Sequence, residues 1–248
     1  MRATWRLLVP GLLLALTAVG CSVDTADDTD VNEDKLHGKY QVHYYEGDRN
    51  LQYYAQLRLG GPTGTTIRLT QGSMSVEGQS MRVVDGDANP INLAGTYYVL
   101  LQSSDDPGES HTFTWTRSDG STYENTITSV PAFTVTAPAA GASHGEGDLK
   151  IIVEGPALGA GQHYQVSLFA ENDAGEGQDG LLVERTEAGN EVIFPADDIA
   201  RLPPGGVEVR VRRTHTEAPQ AGHDDEGGEL ISSRVAQPFT IVVGTPGS

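Results

Sequence analysis

"HTFTWTRSDGSTYENTITSV", residues 111–130, decides the fold class. Phe113 and Trp115 alternate with Thr112, Thr114 and Thr116, so every second side chain is large and apolar. A period of two belongs to an extended strand with one buried and one wet face. Ser118-Asp119-Gly120-Ser121 breaks the pattern with residues suited to a short turn ending in a left-handed position, and Tyr123, Asn125 and Ile127 then resume it. The stretch is predicted to be a β-hairpin.

The same period extends outward in both directions. Tyr40, Val42 and Tyr44 share a face in "KYQVHYYEG", as do Tyr53, Ala55, Leu57 and Leu59 in "LQYYAQLRL". Shorter runs follow at "TTIRLT", "SMSVEG", "SMRVVDG" and "TYYVLLQS". After residue 148 come "LKIIVEG", "HYQVSLFAE", "GLLVERT", "NEVIFP", "GGVEVRVRRT", "ELISSRVAQ" and "FTIVV", with Val207, Val209 and Val211 on one face and Glu208, Arg210 and Arg212 on the other. One helical piece interrupts them, "PADDIARLPPGG" at 195–206, where Pro195 opens a turn and Pro203-Pro204 ends it. "VTAPAAGASHGEGDLK", 135–150, has the Pro, Ala and Gly content of a linker, and a domain boundary is placed near Pro138. The expected fold is all-β: two tandem antiparallel β-sandwiches, 36–138 and 139–248, each of the roughly 100 residues of an immunoglobulin or fibronectin-type domain.

Arg2 and Arg6 precede an apolar core from Leu7 to Val19, followed by the small residue Gly20, which together read as a secretory signal over residues 1–20. That core is shorter than the roughly 20 residues a membrane-spanning helix needs. "AVGC", 18–21, resembles the lipobox of bacterial lipoproteins; Gly20 and Cys21 match, and Ala18 stands where that family most often has Leu. The resemblance covers residues 1–21 and implies cleavage before Cys21, acylation of its sulfur and attachment to a membrane through that lipid. Ser22, rather than Asp, in the next position favours the outer membrane. The mature part resembles lipoproteins with tandem immunoglobulin-like domains. Cys21 is the only cysteine, so no disulfide can staple the fold. Ser22–Lys35 holds six acids, one base and almost no apolar residue, and residues 21–35 are expected to be a lipidated, disordered acidic tether.

The net charge of −18 excludes nucleic acid as a general partner. "GASHG", 141–145, matches a nucleophile elbow at Ser143, but no strand-to-helix context surrounds it, and hydrolase chemistry is disfavoured. Asp85, Asp87 and Asn89 open a stretch like a calcium loop, yet Pro90 and Thr96 stand where Gly and Glu belong. Asp224, Asp225, Glu226 and Glu229 beside His223 offer a second set of hard oxygen ligands in a glycine-rich loop. The histidines lack metal-site spacing. The expected function is a non-catalytic structural or binding module with no required cofactor. Its partners would be another envelope protein or a glycan. The alternatives are a carbohydrate-binding or adhesive surface using outward-facing Tyr45 and Tyr54, and a Ca²⁺-dependent module. Loops 85–96, 171–180 and 217–229 are the candidate binding loops.

Overall fold

Ser110–Thr116 and Thr122–Thr128 pair antiparallel, with Trp115 opposite Tyr123 and Phe113 opposite Asn125. Their turn forms as the residues require: Gly120 takes φ +86°, and the Asp119 carboxylate accepts from the Ser121 N–H (2.8 Å) and hydroxyl (2.6 Å). His111, Phe113, Trp115, Asn125 and Ile127 are buried, while the threonines between them are not.

The computed structural model describes residues 24–88, 93–170, 181–223 and 225–244. In chain order the first half holds β1 (Thr25–Asp27), β2 (Leu36–Tyr45), β3 (Asn50–Leu59), β4 (Thr65–Arg68), β5 (Ser73–Val76), β6 (Gln79–Ser80), β7 (Arg82–Ala88), β8 (Leu93–Ser103), and the hairpin strands β9 and β10. The second half holds β11 (Thr134–Ala137), β12 (Ser143–His144), β13 (Leu149–Glu154), β14 (Gln162–Ala170), β15 (Leu181–Glu187), β16 (Glu191–Phe194), β17 (Gly205–Glu217), β18 (Gly228–Val235) and β19 (Phe239–Val243). A single-turn helix, α1 (Ala196–Ile199), sits between β16 and β17 with Asp197 and Asp198 in its first turn.

The protein is all-β and built as sandwiches. In the first half the sheet β10-β9-β5-β6 faces β3 and β2 across a core that includes Tyr40, Tyr53, Leu57, Ile67, Phe113 and Trp115. In the second, β11-β13-β16 faces β14, β17 and β19 across Leu149, Ile151, Tyr164, Val166, Leu168, Val209 and Ile241. Val207, Val209 and Val211 are all buried, as their alternation predicts.

The halves are not beads on a string. One twelve-stranded sheet runs through both, because β18 pairs antiparallel with β17 and parallel with β2, from Gly228 opposite Gly38 to Val235 opposite Tyr45. Leu230 of β18 is fully buried in the first half's core.

Two sequence expectations are corrected. From Asp24 onward the acidic tether is folded. β1 lies parallel to β4, and the buried Asp28 carboxylate accepts from the N–H groups of Thr70 (2.9 Å), Gln71 (3.2 Å) and Gly72 (2.7 Å) and from the Thr70 hydroxyl (2.6 Å). Arg117 pairs with Asp34 at 2.5 Å, and the Ser118 hydroxyl donates to Glu33 at 2.9 Å. A segment poor in apolar residues cannot form a core, but its acids can cap donors on a surface that others have built. The boundary near Pro138 also moves: β11 pairs with β13, so Thr134–Ala137 already belongs to the second half's sheet.

Candidate functional site

Polar side chains concentrate where the halves meet. His43 points away from the first core yet is only 3% exposed, and Ser233 beside it only 2%. The Gln41 carboxamide oxygen lies 2.8 Å from His43 Nε2; an oxygen there can only accept, so Nε2 carries the proton and Nδ1 accepts from the Ser233 hydroxyl at 2.5 Å. Burial first, then the positive charges of Arg212 and Lys39, push the imidazole down to about 3. His43 is a neutral hydrogen-bond relay between β2 and β18.

His223, read from sequence as a residue of a solvated loop, is instead a plug. Its Nδ1 donates to the Leu36 carbonyl (2.7 Å), its Nε2 accepts from the Tyr40 hydroxyl (2.7 Å), and its ring stacks on Trp115 at 5.3 Å and 9°. The chain leading to it is docked as well. Asn125 Oδ1 accepts from the Gln220 and Ala221 N–H groups, and the Gln220 amide pairs with both backbone groups of Thr126. No periodicity or motif in "EAPQAGHDDEGG" announces this; only the position of the first half's hairpin makes it visible.

Among the described residues two serine–imidazole pairs have the separation of a nucleophile and its base: Ser233 with His43, and Ser129 with His111 at 2.9 Å. Burial also lowers the His111 pKa, against the opposing charge of Glu77, and its Nδ1 faces the Tyr53 hydroxyl at 3.1 Å. Both imidazoles are enclosed, so the pairs tie strands together rather than front a cleft.

The residues singled out by sequence do not converge. Asp85 Oδ1 accepts from the Thr96 hydroxyl (2.7 Å) and Oδ2 pairs with Arg68 (2.6 Å); the Thr96 bond, and after it the Arg68 charge, hold its pKa below the usual range. Both oxygens are occupied by donors. Asp87 lies on β7 opposite Ala94, while Asn89 and Asp224 fall outside the described residues. Asp225 and Glu226 are exposed in a turn, and Glu229 lies 3.8 Å from Lys39 Nζ. Among the described residues no three His, Cys, Asp or Glu side chains gather as a metal site. Tyr54 is no bare platform: it packs with Leu93, Tyr97 and Val99, and its hydroxyl donates to Gln52 at 2.8 Å. Tyr45 is half-buried at the end of β2. Ser143 is exposed on β12, parallel to β19, with no helix after it, so the elbow geometry is absent. Cys21 and loop 171–180 lie outside the described residues.

No family model matches this chain, and no curated protein does. Solved structures similar to it include DIP-gamma IG1+IG2, at 9% identity over 84% of this chain and 98% of that one, with a TM-score of 0.21. The chicken CNTN1 FN1–FN3 domains are 12% identical over 84% of this chain and 65% of that one, TM-score 0.24. The Yersinia pseudotuberculosis adhesin InvE is 13% identical over 82% and 61%, also at 0.24. At such scores the fold rests on the strand pairing described above.

Concave surface among the described residues includes two places outside the candidate binding loops. One, of about 300 Å³, lies at the junction between Glu46, Phe133, Val135 and Phe239. The other, of about 370 Å³, lies at the far pole of the second half between α1 and the ends of β12 and β19.

Proposed function

We propose that this chain is a lipid-anchored bacterial envelope protein whose fused sandwich halves form a rigid, non-catalytic binding or structural module. The observation that carries the reading is the spacing at the N-terminus. A signal-like leader ends at the sole cysteine, Cys21, and the described residues, folded from the first strand on, begin at Asp24. Only Ser22 and Val23 separate the proposed acyl anchor from the body, a reach of about 10 Å at roughly 3.3–3.6 Å per residue. An acylated chain would therefore rest against the headgroups instead of standing off on a long leash, with Ser22 favouring the outer membrane. Among the described residues no helix is long and apolar enough to cross a membrane. The enclosure of both serine–histidine pairs supports a binding or structural role.

Mass spectrometry of the native protein should find an acylated Cys21 at the mature N-terminus, and Cys21→Ala should release the protein from the membrane fraction. A free thiol, or a variant that fractionates as the wild type does, overturns the proposal.

A further inference from the structure

The cavity at the far pole of the second half, about 370 Å³, has an apolar floor and an acidic rim. Ile199, Leu202 and Val243 form the floor and are buried, and Gly145, Gly147 and Gly244 leave the space above them open. Glu146 and Asp197 stand exposed on the rim. Neighbouring acids are already engaged: Asp198 with Arg185 and Arg201, and Asp148 as acceptor for the Ala196 N–H at 3.0 Å. Among the described residues Glu146 and Asp197 meet neither a cation nor a hydrogen-bond donor. The volume sits at the small end of the roughly 300–1,000 Å³ usual for ligand pockets and suits one long side chain.

The chain that lines this cavity enters it from a sheet edge. β12 runs directly into Gly145 and, among the described residues, pairs with β19 alone. The carbonyls of Ala142 and His144 accept from the N–H groups of Val242 and Gly244. Alternation along a parallel ladder then turns the Ser143 N–H and C=O to the open side. An unpaired strand edge beside a socket is the arrangement that recognises an extended peptide, with main-chain bonds supplying affinity and the socket supplying selectivity.

We propose that this pole docks an extended basic segment of a partner protein. The segment adds to β12 at Ser143 and places one lysine or arginine in the cavity, its aliphatic stem on Ile199, Leu202 and Val243 and its cation between Glu146 and Asp197. Charge agrees: residues 139–248 carry 18 acids and 7 bases, a field that draws a basic partner in. The inference rests on the binding-module reading and not on the lipid anchor.

Fluorescence anisotropy of the full-length protein with a short labelled peptide of alternating valine and lysine tests it. The wild type should bind saturably, more weakly as salt rises, and should bind neither the glutamate version of the peptide nor one N-methylated along one edge. Glu146→Gln with Asp197→Asn should weaken binding by about tenfold or more. Gly145→Phe, placed where an added Cβ meets no atom within 4 Å, should fill the cavity and do the same. Should its melt show that it fails to fold, Ala200→Arg on the rim takes its place. Absence of saturable binding by the wild type, equal binding of the acidic peptide, or undiminished binding by the variants overturns the proposal. Membrane fractionation of the same preparations reports on the anchor separately.

Discussion

Gly38→Ala is the sharpest test of the seam. A Cβ at Gly38 would lie 2.3 Å from His223 Nε2, 2.5 Å from Cε1 and 2.8 Å from Cδ2. The ring cannot retreat cheaply, since it is stacked on Trp115 and hydrogen-bonded at both nitrogens. Displacing it strips the Tyr40 hydroxyl and the Leu36 carbonyl of a buried partner, at about 1–3 kcal/mol each. Losing the stack adds about 0.5–1.5 kcal/mol. Alanine returns about 0.4–1 kcal/mol through the lower entropy of its unfolded chain. The net loss is about 2–7 kcal/mol, and at roughly 2–4 °C per kcal/mol for a chain of this size the melting temperature should fall by about 4–28 °C. Circular dichroism melts of Gly38→Ala, His223→Ala and the double variant separate the contact from other effects. With the imidazole gone, the added methyl should cost nothing or stabilise slightly. A melting temperature within about 2 °C of wild type for the single variant, or an equal loss in both backgrounds, would refute the clash as the reason for a glycine here.

Two further outcomes follow from buried polar groups. The unfolded chain protonates His43 near 6.5, whereas the folded chain keeps it neutral down to about 3. The stability it contributes is therefore complete above pH 6.5 and lost as the pH falls toward 3, at about 1.4 kcal/mol per unit. Urea midpoints should drop across that window, and His43→Gln should flatten the slope; a slope that survives the replacement sinks the assignment. Asp28→Ala removes the acceptor for the three N–H groups of residues 70–72, the Thr70 hydroxyl and the Thr29 N–H and should cost about 2–4 kcal/mol. Although burial pushes the Asp28 pKa up, the bonds from Thr70, Gly72 and Gln71 outweigh it and hold the carboxylate below its usual range, so its contribution is present above 3.8 and fades in stronger acid. Hydrogen exchange should show residues 24–35 losing protection in this variant, and full protection would count against the capping role.

Much of the strand inventory was legible because period two is a local signal. The hairpin at 110–128, the valine alternation of β17 and the single turn after Pro195 all appear where residue spacing puts them. Non-local pairing leaves no comparable trace. β1 and β12 are too short to show a period, and "TADDTDVNED" reads as disordered until Thr70–Gly72 and Arg117 are known to lie beneath it. Buried histidines were equally hidden, since His43 occupies an outward position on its strand and its partners Ser233 and Tyr54 come from β18 and β3. The partners of Asp85 were hidden for a related reason: the hydroxyl and guanidinium that satisfy it come from Thr96 and Arg68.

The shared sheet also determines how the protein should unfold. A tandem of independent sandwiches would survive being cut between residues 130 and 134, each piece keeping its core. Here the first core contains Leu230 and is closed by the His223 ring, both supplied by the second half. Removing them exposes Tyr40, Trp115 and Leu36 and leaves β2 with an unpaired edge along the eight positions it shares with β18. Burying a leucine is worth about 1.5–3 kcal/mol, and the lost caps on Tyr40 and Leu36 cost about 1–3 kcal/mol each, so the sum approaches the 5–15 kcal/mol that holds an ordinary domain together. Intact protein should therefore melt in one transition, while a fragment spanning 24–132 should show no cooperative melt and should bind hydrophobic dye at room temperature. A fragment that melts cooperatively at the temperature of the whole chain would mean that the parallel seam is an appended contact and that the first half is a domain in its own right.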